Sequence, residues 1–249
     1  GAQVLAQSQP DGYTVGVMGS NISVTAHLMK SETFVPMRDL QPLVIAGYGD
    51  MTLVVSGKSR FNTLTEFLDY AKANRGKVAF ASAGIGSPSH IFIAQLQQKT
   101  GTEFLHVPYK GTAPAVTDLI GGQVEAFFIA THTVKPYLAS GQLKALGVGA
   151  EQRNSHAPEI PSFAELGVKD FSTEAWYGFM LPPGVPAPIA EKLYRDIHAI
   201  VSNEPVRGQL DKFGLTMRPS TTAEMREFVS KEFRRYGEVI AQYNIKAEE

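Results

Sequence analysis

The sequence predicts an α/β protein in which parallel sheets carry helices on both faces. Strand patterns and helix patterns alternate along nearly the whole chain, an order typical of strands joined by helical crossovers. The 249 residues are 43% hydrophobic and 19% charged, which is enough for a substantial core and disfavours disorder. The sequence contains no repeat, no low-complexity segment and no apolar run long enough to span a bilayer.

Composition excludes several classes of function. The net charge is −1, so the electrostatics favour neither nucleic acid nor an anionic membrane surface as a partner. The absence of cysteine excludes disulfides, thiolate nucleophiles and zinc–cysteine sites, and the histidines show no metal-ligand spacing. We therefore expect no metal, no cofactor and no insertion into a membrane. The chain starts without an initiator methionine, so we expect a processed or trimmed product.

The first part of the chain predicts the end of a helix, followed by a strand, a second helix and two further strands. Either Ser20 or Asn21 can cap the helix that follows the first strand, and a plain cap is the simpler interpretation at this point. The predicted elements are a helix end within 1–9, a turn at 10–12, a strand at 13–18, a helix at 22–30, and strands at 43–47 and 51–56.

Three capping boxes predict helix starts. In each, a Ser or Thr and the Glu three residues later can satisfy each other's backbone amides, beginning at Thr63, Ser162 and Thr221. The first helix carries an apolar stripe and the last one runs for about five turns at 3.6 residues per turn. The box at Ser162 predicts a short helix that ends at Gly167.

The remaining elements alternate between strand and helix. We expect Thr112 to cap one helix, which ends at the glycine pair 121–122, and Thr131 to open the next. Four prolines between 182 and 188 form a stiff turn before a helix with Ile189 to Ile200 along one face, and a shorter helix runs over 205–213 to Gly214. The predicted strands are 78–81, 103–107, 124–130, 143–148 and 173–180.

The stretch from Val78 into the following helix has the composition of an anion cradle. A buried strand leads into the small-residue loop 82–87, and Ser87 suits an N-cap with Pro88 at the first helical position. Glycines let a ligand approach the backbone, and the helix dipole favours negative charge. We expect the amides of the loop and the first helical turn to be unpaired and to receive the anion. The loop lacks the third glycine of a dinucleotide fingerprint and the Gly-Lys ending of a P-loop, so a carboxylate fits better than a nucleotide. A tight turn with an ordinary cap remains the alternative.

The predicted strand ends place several polar residues together. In doubly wound sheets ligands lie beyond the carboxyl ends of the strands, and Ser20, Ser82, Tyr109 and Thr131 all follow such ends. Residues 78–148 can form one compact half, with 13–56 and 174–249 forming the other. If the two halves face each other, these loops line one cleft.

A set of short motifs, in order along the chain, resembles the Bug family, the TctC-type periplasmic receptors of tripartite tricarboxylate transporters. The motifs are DGYT at 11–14, ASAGIGSPSH at 81–90, HVPYKGTAP at 106–114, LIGGQV at 119–124, GQLKAL at 141–146, PEIPS at 158–162 and WYG at 176–178. Each motif alone is weak, but together they cover essentially the whole chain.

The resemblance implies a type II periplasmic-binding-protein fold, with two α/β lobes around a ligand cleft. It implies residues 1–57 and 173–249 in lobe 1, residues 58–172 in lobe 2, and crossovers near 56–60 and 171–174. It also implies capture of a small carboxylate in the periplasm, delivery to the membrane permease subunits of the transporter, and no catalysis. Carried over residue by residue, the ligand-binding set is Ser20, Asn21, Ser82, Ala83, Gly84, Gly86, Ser87 and Thr131, with Tyr109 and Trp176 as further candidates.

Two departures from the family pattern matter. The family begins earlier, with a strand and a proline–glycine loop, so lobe 1 is expected to lack its first strand, and an open sheet edge favours association. Many relatives place Asp-Asn where this chain has Ile129 and Ala130. Without that acid, an amine on the ligand loses a counter-charge, so we expect a plain mono- or dicarboxylate.

Two other functions compete with the receptor. An effector domain of a transcription regulator can share this architecture, but it predicts a basic helix-turn-helix that the chain does not show. A serine hydrolase using Ser87 or Ser82 needs a histidine and an acid beside it, which the spacing does not suggest. We interpret His90 as a structural hydrogen-bonding residue, His106 and His132 as structural or exposed, Lys110 as solvated, and Trp176 as a packing residue near the hinge.

Overall fold

The computed structural model describes residues 1–28, 34–212, 215–243 and 245. Its helices are α1 (Ala2–Ala6), α2 (Asn21–Leu28), α3 (Pro36–Asp39), α4 (Leu64–Ala73), α5 (Pro88–Thr100), α6 (Thr112–Gly121), α7 (Thr131–Ala139), α8 (Ala187–Ser202), α9 (Glu204–Lys212) and α10 (Thr222–Gln242). Its strands are β1 (Gly16–Gly19), β2 (Gln41–Gly49), β3 (Met51–Ser56), β4 (Val78–Ser82), β5 (Phe104–Pro108), β6 (Ala126–Ala130), β7 (Leu143–Val148), β8 (Ala175–Leu181) and β9 (Thr216–Met217).

The chain divides into two compact units, each with its own sheet. Unit 1 combines Gly1–Tyr48 with the segment that begins at Ala175, and unit 2 is the continuous segment Gly49–Glu174. The sequence-based boundary at residue 57 was wrong, because β3 lies in the sheet of unit 2. It pairs there with both β6 and β7, and those backbone hydrogen bonds fix its place.

Unit 1 has a four-stranded sheet in the order β1-β8-β2-β9. Strand β1 pairs antiparallel with β8, and β2 pairs antiparallel with β9. Ile45 and Trp176 pack with α2 and α10 in one cluster, while Leu43 and Leu181 pack with α8 in another. The helices of this unit therefore pack with the sheet in separate hydrophobic clusters.

Unit 2 has a five-stranded sheet in the order β5-β4-β6-β3-β7. Phe80 and Phe128 belong to a core with α4 and α5, whereas Ala81 and Phe127 belong to a second core with α6 and α7. Neighbouring residues of one strand thus alternate between the two cores, as the pleat requires. Helices on both faces of the sheet were predicted correctly.

The prediction of parallel sheets was wrong in part. Strand β4 is parallel to β5 and β6, but β3 is antiparallel to β6 and β7. Alternation along the chain cannot reveal direction, because β3 and β6 are neighbours in the sheet but are separated in sequence by β4 and β5. Neither sheet is therefore purely parallel, and the fold is mixed α/β.

Local signals located most helix starts. The capping boxes at Thr63 and Thr221 are formed, with both reciprocal hydrogen bonds present. The box at Ser162 also forms its two bonds, yet residues 163–167 make turns and no helix. Thr112 was expected to cap α6, but Gly111 occupies that position and Thr112 is the first helical residue.

Some predicted ends shifted or cannot be compared. The first strand begins at Gly16 rather than at residue 13, and Tyr13 is 94% exposed. Ile200 was assigned to the apolar face of α8 but is 56% exposed, since it lies in the last turn of that helix. The predicted ends at Lys30, Phe213 and Gly214 lie outside the described residues.

Candidate functional site

One edge of the unit 2 sheet collects most of the predicted site residues. Strands β4, β5 and β6 are parallel neighbours, so their carboxyl ends lie at the same edge. Ser82 ends β4, Tyr109 follows β5, and Thr131 follows β6. The start of β3 joins them there, because Met51 pairs with Ala130. The structure thus brings together the three strand-end positions predicted for this unit.

The loop 82–87 has the backbone that its sequence predicts. Gly84 has φ of 132° and Gly86 has φ of 74°, conformations that side-chain-bearing residues rarely adopt. A Cβ on Gly84 would lie 3.2 Å from the carbonyl oxygen of Tyr109. Ser87 is the N-cap of α5 and Pro88 is its first residue, so the loop leads directly into a helix N-terminus.

The amides of this loop were expected to be unpaired, and for most of them that is wrong. Donors in the loop find acceptors within the loop and the first turn of α5, because small polar side chains fold back onto the backbone. The bonds are Ala83 N to Ser89 Oγ at 3.0 Å, Gly84 N to Ser82 Oγ at 3.2 Å, Gly86 N to His90 Nδ1 at 3.3 Å and Ser87 N to Gly84 O at 3.1 Å. For the amides of Ile85 and Ser89, no acceptor occurs among the described residues.

The hydroxyls of the loop are also engaged. Ser87 Oγ donates to Gly84 O at 2.7 Å and accepts from His90 N at 3.4 Å. Ser82 is fully buried, and its Oγ lies 3.1 Å from Gly84 O and 2.7 Å from His106 Nε2. Ser82 therefore shapes the loop from beneath, while the half-buried residues 83–88 form its accessible part.

Two stacked histidines lie under the loop. The rings of His90 and His106 are 3.8 Å apart at an interplanar angle of 13°. Burial, together with the charge of His106, lowers the pKa of His90 to about 3. Burial lowers the pKa of His106 to about 4. Both rings are therefore neutral at physiological pH.

Tyr109 supports the loop through its backbone. Its amide donates to Ser82 O at 3.0 Å, and Gly111 N donates to Ala83 O at 3.2 Å. Its hydroxyl donates to Asp118 Oδ2 at 2.8 Å. Burial and this carboxylate raise the pKa of Tyr109 to about 12. Since Asp118 lies on α6, this helix fixes the position of the Tyr109 hydroxyl.

Thr131 is buried and hydrogen-bonded to the start of β3. Its Oγ1 lies 2.9 Å from Asp50 O and 3.0 Å from Thr52 Oγ1, and its amide donates to Asp50 O. These contacts join the first turn of α7 to the neighbouring strand, so the side chain organises the edge of the sheet.

Sequence reasoning missed a polar group beside Thr131. Asn154 donates to Asp50 Oδ2 at 2.9 Å and accepts from His156 N at 2.8 Å. His132 has a buried Nδ1 with no partner among the described residues, and burial, with the nearby His156, lowers its pKa. These residues are single polar positions on separate loops, so no sequence pattern groups them.

In unit 1 the predicted residues lie around the start of α2. Ser20 is buried and its Oγ accepts from Trp176 N at 3.1 Å, so it does not act as a simple helix cap. Asn21 is the exposed first residue of α2 and lines a cavity of about 300 Å³ with Val17, Ile22 and Phe34. The ring of Trp176 is fully buried, as expected for a packing residue.

A buried carboxyl group supports this part of unit 1 and was not predicted. Glu232 on α10 accepts from Trp176 Nε1 at 2.8 Å and from Ser23 Oγ at 3.1 Å through one oxygen. Its other oxygen and the hydroxyl of Tyr236 are buried without a partner among the described residues. Burial raises the pKa of Glu232, which favours the protonated, neutral form.

The described ranges contain no cluster of three or more His, Asp or Glu side chains suited to a metal ion. Every helix within them is too short or too polar to cross a bilayer. The donors at the carboxyl edge of unit 2 are neutral amides, hydroxyls and imidazoles, which can receive a carboxylate but offer no nucleophile with a base and an acid in line.

The chain matches the sequence profile described as "Tripartite tricarboxylate transporter family receptor" over residues 1–245. It is 32% identical to the protein BugT of Bordetella pertussis, over 99% of this chain and 76% of that protein. Two solved structures of Rhodopseudomonas palustris proteins are also similar.

The first of these is Rpa4515 with adipate, at a TM-score of 0.86 and 25% identity, covering 98% of this chain and 82% of that one. The second is MatC with bound malate, at a TM-score of 0.80 and 27% identity, covering 96% of this chain and 83% of that one. The mixed α/β fold with two sheets is the fold of these proteins.

Proposed function

Because the chain belongs to the receptor family of tripartite tricarboxylate transporters, we propose that it captures a small mono- or dicarboxylate in the periplasm and presents it to the permease subunits of such a transporter. The family and the fold are those of solute-binding receptors and not of enzymes. The observation that carries the proposal is the likeness, over nearly the whole chain, to proteins solved with adipate and with malate.

The loop 82–87 supports the carboxylate class. It leads into the N-terminus of α5, where the partial positive charge of the helix favours an anion. The amide of Ile85, in the accessible part of the loop, lacks an acceptor among the described residues and is a donor that a carboxylate can take without breaking an existing bond. In this proposal the ligand-binding set remains Ser20, Asn21, 82–84, Gly86, Ser87 and Thr131, with Ser82 and Thr131 acting from buried positions.

The residues at the carboxyl edge of the unit 2 sheet favour a ligand without an amine. Ile129 is buried and Ala130 precedes α7, so neither supplies a counter-charge. Asp50 is the acid near Thr131, but its carboxylate already accepts from Asn154. We therefore expect malate and adipate to bind better than aspartate.

No observation specifically supports either of the two competing functions, the regulator domain or the serine hydrolase. The contact between Ser82 and His106 has the length of a hydrolase Ser–His pair, but Ser82 is fully buried. No acid contact to His106 is described, and a buried hydroxyl cannot attack a substrate. The Ser87 hydroxyl donates to Gly84 O instead of to a base.

Isothermal titration with malate, adipate, acetate and aspartate tests the proposal. A ligand at a hundredfold excess over its dissociation constant should raise the free energy of unfolding by about 2.7 kcal/mol. Ser87→Ala should weaken binding by about 1–3 kcal/mol, because the loop loses the hydroxyl that donates to Gly84 O and caps α5. Ser140→Ala is the matched control, since its exposed hydroxyl lies at the far end of α7. A folded protein that binds none of these acids at millimolar concentration would overturn the proposal.

A further inference from the structure

We propose that the stacked rings of His90 and His106 are the positioning residues of the loop 82–87 and hold its backbone in the arrangement that receives a carboxylate. This inference rests on the function proposed above and deepens it. It assigns a role to two side chains that lie behind the loop and that need not touch the ligand.

The two rings hold opposite ends of the loop. His106, on β5, contacts the hydroxyl of Ser82, where the loop begins, at 2.7 Å. His90, in the first turn of α5, accepts from the amide of Gly86, near the end of the loop, at 3.3 Å. Because the rings stack at 3.8 Å, each fixes the orientation of the other. The strand and the helix are thereby joined to the loop through one aromatic pair.

The loop needs such support at Gly86, because the serines of the loop hold Gly84, whereas the Gly86 amide bonds to His90. Gly84 and Gly86 both adopt positive φ, and glycine visits many backbone conformations at little cost. Ser87 and Ser89 restrain the end that enters α5. The His90 contact fixes Gly86, one of the two glycines that give the loop its freedom.

The hydrogen-bond directions define which ring nitrogen matters. Gly86 N can only donate, so His90 Nδ1 must be an unprotonated acceptor. Ser82 has a single hydroxyl proton, and when it donates to Gly84 O, His106 must donate from Nε2. The role therefore belongs to the δ position of residue 90 and to the ε position of residue 106.

Paired substitutions test the role of each of these two ring nitrogens separately. In His90→Asn the amide oxygen lies at the δ position, whereas in His90→Gln it lies one bond further out. In His106→Gln the amide reaches the ε position, whereas in His106→Asn it stops short. Affinity for malate and adipate should stay within about threefold of wild type in His90→Asn and His106→Gln, and should fall about tenfold or more in His90→Gln and His106→Asn.

Hydrogen exchange of the Gly86 amide, measured by NMR without added acid, gives a second readout. The exchange should be slow in wild type and His90→Asn, and clearly faster in His90→Gln. A purely structural role would lower stability in both variants of a pair alike and would not separate them. Equal affinity and equal Gly86 exchange in His90→Asn and His90→Gln would overturn the inference.

The design separates this inference from the proposed function. If wild type binds neither acid but Gly86 exchange still follows the δ position, the proposed ligand class fails while the positioning role stands. If wild type binds and the paired variants do not differ, the positioning role fails alone. Denaturant unfolding of all four variants identifies any that do not fold, and the pair at the other histidine then decides.

Discussion

At the scale of single residues, the loop 82–87 satisfies most of its own donors. Small polar residues such as Ser82 and Ser87 were interpreted as ligand contacts, but their hydroxyls bond to Gly84 O, His106 and the amide of His90. Because an unpaired buried polar group costs about 1–3 kcal/mol, a loop of this composition folds back on itself. A ligand therefore gains most binding energy from the few amides that have no acceptor within the loop.

The buried histidines predict how stability depends on pH. Their pKa values in the folded protein, about 3 for His90 and about 4 for His106, lie below the ordinary value near 6.5. Between about pH 4 and 6.5 the unfolded chain therefore binds more protons than the folded one. The free energy of unfolding should rise with pH through this window and fall on acidification.

Urea unfolding at pH 4.5, 5.5, 6.5 and 7.5 measures this dependence. In the double variant His90→Asn with His106→Gln, the loss between pH 6.5 and 4.5 should be clearly smaller. The remainder should combine His132, whose lowered pKa acts in the same direction, with Glu232, whose raised pKa acts in the opposite direction. An unchanged slope in the double variant would show that the buried pair does not cause the effect.

The buried carboxyl of Glu232 gives a second prediction. Glu232→Ala should lower the free energy of unfolding by about 2–6 kcal/mol, because the buried donors of Ser23 and Trp176 would each lose an acceptor at about 1–3 kcal/mol. Glu232→Gln should cost at most about 1 kcal/mol, since the raised pKa of Glu232 already favours a neutral group. Denaturant unfolding followed by the emission of Trp176, the only tryptophan, measures both. Equal stability of the Ala variant and wild type would contradict the role.

At the scale of elements, local signals decided where helices start but not always whether they form. The boxes at Thr63 and Thr221 cap helices of 10 and 21 residues, whereas the box at Ser162 caps only turns. Its hydrogen bonds are the same, but Gly167 ends the segment before a second helical turn can be stabilised. A capping box therefore marks a possible helix start, and the length of chain that follows decides whether the helix forms. Helices α7 and α8 begin without any side-chain cap.

Close packing at a strand end gives a prediction for β3. A Cβ on Gly57, the residue after β3, would clash with the backbone carbonyl group of Gly141. Gly57→Ala should therefore cost at least about 2 kcal/mol of unfolding free energy, because backbone must move. Gly121→Ala is the matched control. Its Cβ would meet nothing within 4 Å, so the change should be neutral or stabilising by up to about 1 kcal/mol. Equal effects of the two variants would refute this account.

At the scale of the whole molecule, the chain forms one continuous and one discontinuous unit. Unit 2 has a core on each face of its sheet, with Phe80 and Phe127 fully buried on opposite sides. Unit 1 draws its sheet from both ends of the chain, since β1 pairs with β8. The two units therefore differ in how they can fold.

This difference predicts that residues 49–174 fold on their own. Their length falls within the usual range of about 50–250 residues for a domain, and both cores are contained in the segment. The isolated segment should show a cooperative urea transition by circular dichroism. Phe80→Ala should lower its free energy of unfolding by about 3–5 kcal/mol. A segment without a cooperative transition would show that its stability depends on unit 1.

Local patterns in the sequence are sufficient to predict the order of elements, most of their ends, the helices on both faces of the unit 2 sheet and the glycine loop at its carboxyl edge. These features follow from propensity, periodicity and capping, which act over a few residues. The direction of β3, the unit to which it belongs and the partners of the buried polar groups depend on long-range packing and are visible only in the folded chain. Ser82 and His106 are 24 residues apart, and Ser23 and Glu232 are 209 apart. Contacts at such separations are selected by packing, because burying a polar group is tolerated only where the fold delivers its partner.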